Sequence, residues 1–361
     1  MYKSFTIKNF RGFPDFTMKS LQRINLIAGK NNVGKTALLE ALWLHHGYHN
    51  PELGIGVTMS RGLELKRDEF MWDLFFEFDP EKTIVLSSQD WDNQSQSLRI
   101  TIQEHPTSRI SIRDGEWKGR NESELLPSMI VGQASNEPIE SAVLLDYTGV
   151  SGETIQAHAY VEPHSVRFER PVGVKKASGI FLAAQSRSHS KILAEQLGDL
   201  EVNKKEGKII QILQIIEPSL ESLTVRHAGN VPTIYGDIGK KRLVPLPLMG
   251  DGMSRLLGIA LSISQAQDGI LLVDEIENGL YHTVMRKVWQ AIANLAREYN
   301  VQIFATTHSE ECIRAAHQAF NACEQYDFAL HRLERVKKAI RAISFGQETL
   351  DAAIEMDAEV R

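Results

Sequence analysis

The stretch INLIAGKNNVGKTALLEALWLHH, residues 24 to 46, constrains the fold of this chain more than any other. A short apolar run reads as a buried strand, a loop follows with glycines at 29 and 34, and the next run has the spacing of a helix. Gly29 to Thr36 match G-x-x-x-x-G-K-[ST] at every fixed position. Glycines at both ends let backbone N–H groups turn toward phosphate oxygens, and the helix beginning near Gly34 adds its positive dipole end. Asn31, Asn32, Val33, Gly34, Lys35, Thr36 and Ala37 are therefore the candidate phosphate cradle. Lys35 is expected to reach the β- and γ-phosphates and Thr36 to offer its hydroxyl to Mg²⁺. The loop implies a nucleoside triphosphate without saying which class of machine uses it.

A second segment supplies what such a loop needs. In GILLVDEIENG, residues 269 to 279, four apolar residues place Asp274 at the carboxyl end of a buried strand, where it can hold Mg²⁺ directly or through water. Glu275, one residue on, is placed to orient or deprotonate an attacking water. The next strand, VQIFATT, ends at His308, within reach of a γ-phosphate or that water. A lone strand-end histidine is more often structural; the order of the three segments favours a functional one.

Between these segments the character of the chain changes. SFTIKNF, DLFFEF, KTIVLSS, LRITIQ, RISIR, AVLLDY and TIQAHAY read as short strands, so residues 1 to about 165 are expected to form a mostly antiparallel β region, interrupted by the helix after the phosphate loop and a second candidate helix within RGLELKRDEFMWDLF. Beyond residue 178 come a strand in GIFLAAQ, helices in HSKILAEQLGDL and KKEGKIIQILQIIEPSL, a hairpin from SLTVRH and VPTIYG, and then helix alternating with strand. That alternation implies a parallel sheet packed by helices. Leu280, Val284, Val288, Ile292 and Leu295 recur at three and four residues as one core-facing stripe.

With 361 residues, 42% hydrophobic and 24% charged, the composition is that of a globular protein, and no apolar run approaches a membrane span. The amino terminus lacks the layout of a signal peptide, so a cytoplasmic protein is expected. A net charge of −6 argues against an overall basic surface, while KKR (240 to 242) and RVKKAIR (335 to 341) stand out as local basic runs, each either a phosphate-binding patch or a solvated face. Cys312 and Cys323 sit three helical turns apart, too far to bond, and read as buried structural residues. His45, His46 and His49 have no carboxylate or cysteine arranged beside them and read as core or solvated histidines.

AGKNNVGKT, LMGDGMSRLL, ILLVDEIENGL and FATTHSEECI together resemble ABC-type head ATPases, within them the RecF- and SMC-like group and ATPases related to OLD (overcoming lysogenisation defect) proteins; FTIKNFRGFPDF resembles that group's opening strand and turn. The resemblance implies an α/β P-loop fold of two lobes, here about 1–178 and 179–361, with an antiparallel β subdomain in the N-terminal half, which hydrolyses ATP as a homodimer or higher oligomer. It makes LMGDGMSR the signature that closes on the partner's γ-phosphate, with Gly250 and Gly252 at a helix start; an ordinary glycine turn is the alternative. By the same resemblance Gln185 is the Mg²⁺- and water-sensing glutamine, or a polar strand end without a role, and Arg11 lies near the nucleotide phosphates, or is a surface arginine in a tight turn.

OLD-type proteins often carry a Toprim nuclease module, which needs an Asp-x-Asp; none follows His308. The expectation is a head ATPase that works with a separately encoded effector such as a nuclease, in nucleic-acid processing or anti-phage defence, with nucleic acid as a candidate partner and no membrane association. A RecF-like DNA-binding repair ATPase and a nucleotide-gated scaffold with little turnover are the alternatives.

Overall fold

The computed structural model describes residues 1–62, 69–104, 139–162, 165–174, 177–184, 190–228 and 231–361. The first part of the chain forms β1 (Tyr2–Phe10), β2 (Phe13–Met18), β3 (Ile24–Gly29), α1 (Lys35–His46), α2 (Glu52–Met59), β4 (Ile84–Asp90), β5 (Ser95–Glu104), β6 (Ser141–Thr148), β7 (Thr154–Val161) and β8 (Val166–Glu169). Then come β9 (Gly179–Leu182), α3 (Ser190–Val202), α4 (Glu206–Leu213), β10 (Ser222–Ala228), β11 (Val231–Asp237) and β12 (Val244–Pro245). The last part forms α5 (Asp251–Gln265), β13 (Ile270–Val273), α6 (His282–Glu298), β14 (Gln302–Thr306), α7 (Glu310–Asn321), β15 (Phe328–Val336), β16 (Ala339–Phe345) and α8 (Gln347–Glu355).

The apolar strands foreseen from the sequence assemble into one sheet in the order β16-β15-β3-β14-β13-β9. Its members are parallel from β15 to β9, and β16 closes the edge as an antiparallel hairpin with β15. Both faces of this sheet are covered, which is why β3, β13 and β14 are buried at every position. Leu26, Leu271 and Val273 pack with α5, α6 and α7 on one face; Ile27, Ile270 and Leu272 pack with α1 on the other. On α6 the foreseen stripe is extended by Met285 and by Trp289, which is fully buried.

The antiparallel region forms a second sheet of seven strands, β2-β1-β4-β5-β6-β7-β8. Its inward residues, among them Phe5, Ile7, Leu86 and Leu98, share one core with Leu38, Leu39 and Leu42 of α1. The phosphate-loop helix is therefore sandwiched between the two sheets. At its carboxyl end His45 is 1% exposed, and Tyr2 Oη lies 3.1 Å from His45 Nδ1 and 3.2 Å from His46 Nδ1. The histidine pair thus lies at the boundary of the two sheets, His45 in the core.

Several local expectations change. DLFFEF forms two short 3-10 turns, Trp72–Leu74 and Phe76–Phe78, because the consecutive residues Leu74 and Phe75 are both buried, a pattern no strand with one open face can satisfy. The strand in GIFLAAQ ends at Leu182, and Cys323 lies beyond α7, half-buried, with its thiol on the Ala319 carbonyl. RISIR and the part of RGLELKRDEFMWDLF at 63–68 lie outside the described residues. The expected hairpin forms as β10 and β11. Among the described residues no helix is long and apolar enough to cross a membrane.

Candidate functional site

The carboxyl ends of three adjacent parallel strands, β3, β14 and β13, bring the sequence motifs together. The loop after β3 turns through Gly29 at φ +142°, Asn32 at +60° and Gly34 at +106°. A β-carbon at 29 would stand 2.7 Å from the Leu333 carbonyl, and one at 34 would stand 2.9 Å from the Phe13 ring. Both glycines are therefore required twice, by backbone conformation and by close approach.

Lys35 begins α1 and is 6% exposed. Its ammonium donates to the carbonyls of Gly29 at 2.7 Å and Lys30 at 3.1 Å, and lies 3.3 Å from His308 Nδ1. Burial pulls its pKa below the usual lysine value, opposed by the charges of Asp274, Glu275 and Glu277. Thr36 Oγ1 donates to Asp274 Oδ2 at 2.9 Å, and Thr306 Oγ1 donates to Asp274 Oδ1 at 2.5 Å. The carboxylate is 6% exposed and held by hydroxyls on both oxygens.

Glu275 adopts φ +50°, a left-handed conformation that a glutamate rarely takes. Its N–H donates to Thr306 Oγ1 at 2.8 Å, and its Oε2 accepts from Asn278 Nδ2 at 2.8 Å. Oε1 lies 3.4 Å from His308 Nε2, so one imidazole faces Glu275 with one nitrogen and Lys35 with the other. The His308 N–H donates to Glu277 Oε1 at 2.6 Å, which fixes the residue from below.

Gly250 and Gly252 stand at the start of α5, with Gly250 at φ +106°. They are not placed against the phosphate loop. A β-carbon at 252 would lie 2.5 Å from the Gly279 carbonyl, so the turn packs on the loop that follows Glu275. Arg255, one turn into α5, donates to the carbonyls of Asp274 at 2.7 Å and Glu275 at 3.1 Å. Leu248 before the turn and Tyr281 after the loop remain 77% and 67% exposed.

Arg11, at φ +46°, is not a surface residue, its side chain being 9% exposed. Its guanidinium donates to Glu40 Oε2 at 2.5 Å and to Asp73 Oδ2 at 3.2 Å, in an ion cluster where Arg61 also grips Glu40 through two bonds of 2.8 Å. Glu40 lies one turn of α1 beyond Thr36, so this cluster braces the helix that carries the loop. Gln185 lies outside the described residues.

Sequence reasoning missed Thr306, Arg255, Glu277 and the Glu40 cluster. The first three sit inside quoted motifs, FATTH, GMSR and DEIE, but their roles depend on which strand or helix is adjacent. Glu40 looks like an ordinary helix-surface residue until β1 and the Trp72–Leu74 turn close over it.

Two family models match the chain in succession: "AAA ATPase domain" over residues 1–131 and "AAA domain, putative AbiEii toxin, Type IV TA system" over residues 165–314. An "ATP/GTP phosphatase" of Helicobacter pylori is 23% identical over 355 residues, covering 91% of this chain and 90% of that protein. An uncharacterized protein of Methanocaldococcus jannaschii is 27% identical over 183 residues, 44% of this chain and 80% of its own length. Among solved structures, an SMC head bound to the C-winged helix domain of ScpA superposes with a TM-score of 0.51 at 12% identity, covering 98% of this chain and 99% of that one. The glycine loop, the strand-end carboxylates and these likenesses place the chain among the P-loop ATPases with an ABC- and SMC-head-like fold.

Proposed function

We propose that this ATPase binds Mg-ATP at the carboxyl ends of β3, β14 and β13 and hydrolyses it in a dimer, to regulate a separately encoded effector in nucleic-acid processing or defence. The bond from Thr36 Oγ1 to Asp274 Oδ2 carries this reading, because it joins the hydroxyl of the phosphate loop to the carboxylate of the second motif. Two hard oxygen donors in contact suit Mg²⁺, which keeps several waters and takes few protein ligands. Thr36 and Asp274 would hold the ion, and it would neutralise charge on the β- and γ-phosphates.

The chain's own groups then divide the work. The N–H groups of residues 31 to 37 and the α1 N-terminus face the phosphates, and Lys35 exchanges its bonds to Gly29 and Lys30 for phosphate oxygens. Glu275 accepts the proton of the attacking water, with Asn278 fixing its other oxygen. His308, between Glu275 and Lys35, is placed to touch both the water and the γ-phosphate.

The exposed pair Leu248 and Tyr281, flanking the Gly252–Gly279 contact, supports a second copy docking on this face and presenting Gly250 and Gly252 to the phosphates. A defence role is supported by the description of the matched family as a toxin of a Type IV toxin–antitoxin system. Phosphate release from ATP and from GTP, with and without Mg²⁺, tests the reading together with light scattering of Glu275→Gln. Turnover that Glu275→Gln leaves intact sinks the site; ATP-dependent dimerisation without turnover in the wild type would favour a gated scaffold.

A further inference from the structure

The β15–β16 hairpin leaves the parallel sheet next to the phosphate loop. Arg335, Lys337, Lys338 and Arg341 are all exposed on it, and Lys30 of the loop is exposed beside it. Among the described residues none of these five side chains forms an ion pair. The one carboxylate of the hairpin, Glu334, stands opposite Arg341 in the register and is held by Arg332 at 2.5 Å. A chain with a net charge of −6 thus concentrates exposed cations on one hairpin.

The hairpin is also in contact with the nucleotide-binding loop. Arg335 lies opposite Ile340 in the register, so both point to the same side, and Ile340 is buried against Gly12 and Gly34. From that side Arg335 Nη2 donates to the Asn32 carbonyl at 3.2 Å. Two residues back, the Leu333 carbonyl is the atom that a β-carbon at Gly29 would strike. Both ends of the phosphate loop therefore rest on β15.

We infer that this hairpin docks the phosphodiester backbone of a nucleic acid and transmits its presence to the phosphate loop through Arg335. Exposed lysines at 337 and 338, in no ion pair among the described residues, are suited to strongly charged, sequence-independent contacts. Arg335 has donors to spare beyond its bond to Asn32, so it can hold the loop and a backbone phosphate at once. The transmission, but not the docking, rests on the ATPase reading above.

The test is the salt dependence of binding of a fluorescent oligonucleotide, single-stranded and duplex, followed by anisotropy. Four phosphate contacts give log K against log salt a slope of about −3, and Lys337→Ala with Lys338→Ala should reduce it to about half. Lys240→Ala with Lys241→Ala, on the other basic run, should leave it unchanged. In the same solutions, ATP turnover should respond to the oligonucleotide in the wild type, and Arg335→Ala should abolish that response while retaining most of the binding. An unaltered slope in the 337/338 variant, or an equal loss in the 240/241 variant, overturns the docking. So does polyglutamate competing as well as the oligonucleotide at equal charge, which points to an acidic protein. Absence of turnover in the wild type would strike only the ATPase reading, because the slopes decide the docking alone.

Discussion

Gly252 lies against Gly279 so closely that a β-carbon on the former would come within 2.5 Å of the latter's carbonyl. The turn that begins α5 and the loop that follows the catalytic carboxylate candidates are therefore one packed unit, and Arg255 fastens it to the carbonyls of Asp274 and Glu275. Gly279 itself sits at φ +75°, so neither partner tolerates a side chain.

Gly252→Ala should displace the 276–280 loop while leaving the phosphate loop in place. The expected outcome is a loss of ATP turnover of at least about tenfold with nucleotide affinity within a few-fold of wild type. Turnover and fluorescent-nucleotide titration check it, and unimpaired turnover would mean that the contact is packing alone.

Lys35→Ala should abolish nucleotide binding, since in the proposed site its ammonium exchanges the Gly29 carbonyl for phosphate oxygens. Glu275→Gln keeps the acceptor for Asn278 but loses the base, so it should bind ATP and turn over about 10² to 10⁴-fold more slowly. Equal rates in Glu275→Gln and wild type would falsify the base assignment.

Arg11→Ala should act chiefly on stability. It leaves Glu40, 1% exposed, with Arg61 alone, and since that pair persists the cost is at most about 3 kcal/mol, the low end for breaking a buried pair. Thermal unfolding should show a clear drop while nucleotide affinity in the folded protein changes little. The opposite pattern, a lost affinity at an unchanged melting temperature, would put Arg11 at the nucleotide.

Acid should destabilise the fold through buried neutral histidines. Burial lowers His45 and His331 to about 3 and His46 to about 4, below the ordinary imidazole value. The unfolded chain therefore takes up protons that the folded chain refuses. The stabilisation is complete above about pH 6.5 and is lost as pH falls from there toward the folded values, at about 1.4 kcal/mol per pH unit for each imidazole. His331→Gln should remove one imidazole's share, about 1.4 kcal/mol per pH unit, from this dependence. A melting temperature that declines with acid as steeply in His331→Gln as in wild type would contradict it.

The phosphate loop, Asp274, Glu275 and His308 were legible in the sequence because each motif is local: a strand end, a few fixed residue types and the start of the next element. The parallel sheet was legible for the same reason, since strands buried on both faces have to be written as unbroken apolar runs such as ILLV and QIFAT. DLFFEF was misread because burial of adjacent side chains by a turn looks, in one dimension, like a strand.

What the sequence by itself determined is the class of fold and the motifs that it brings to the strand ends. Only the tertiary structure decided that Thr36 and Asp274, 238 positions apart, share a hydrogen bond, that Arg11 closes on Glu40, and that Arg335 holds Asn32. These contacts join elements that are distant in the chain and adjacent in the sheet order β15-β3-β14-β13 or packed against it. Local residue patterns encode which face of an element is buried. They do not encode which other element covers it, because that follows from packing both sheets and their helices all at once.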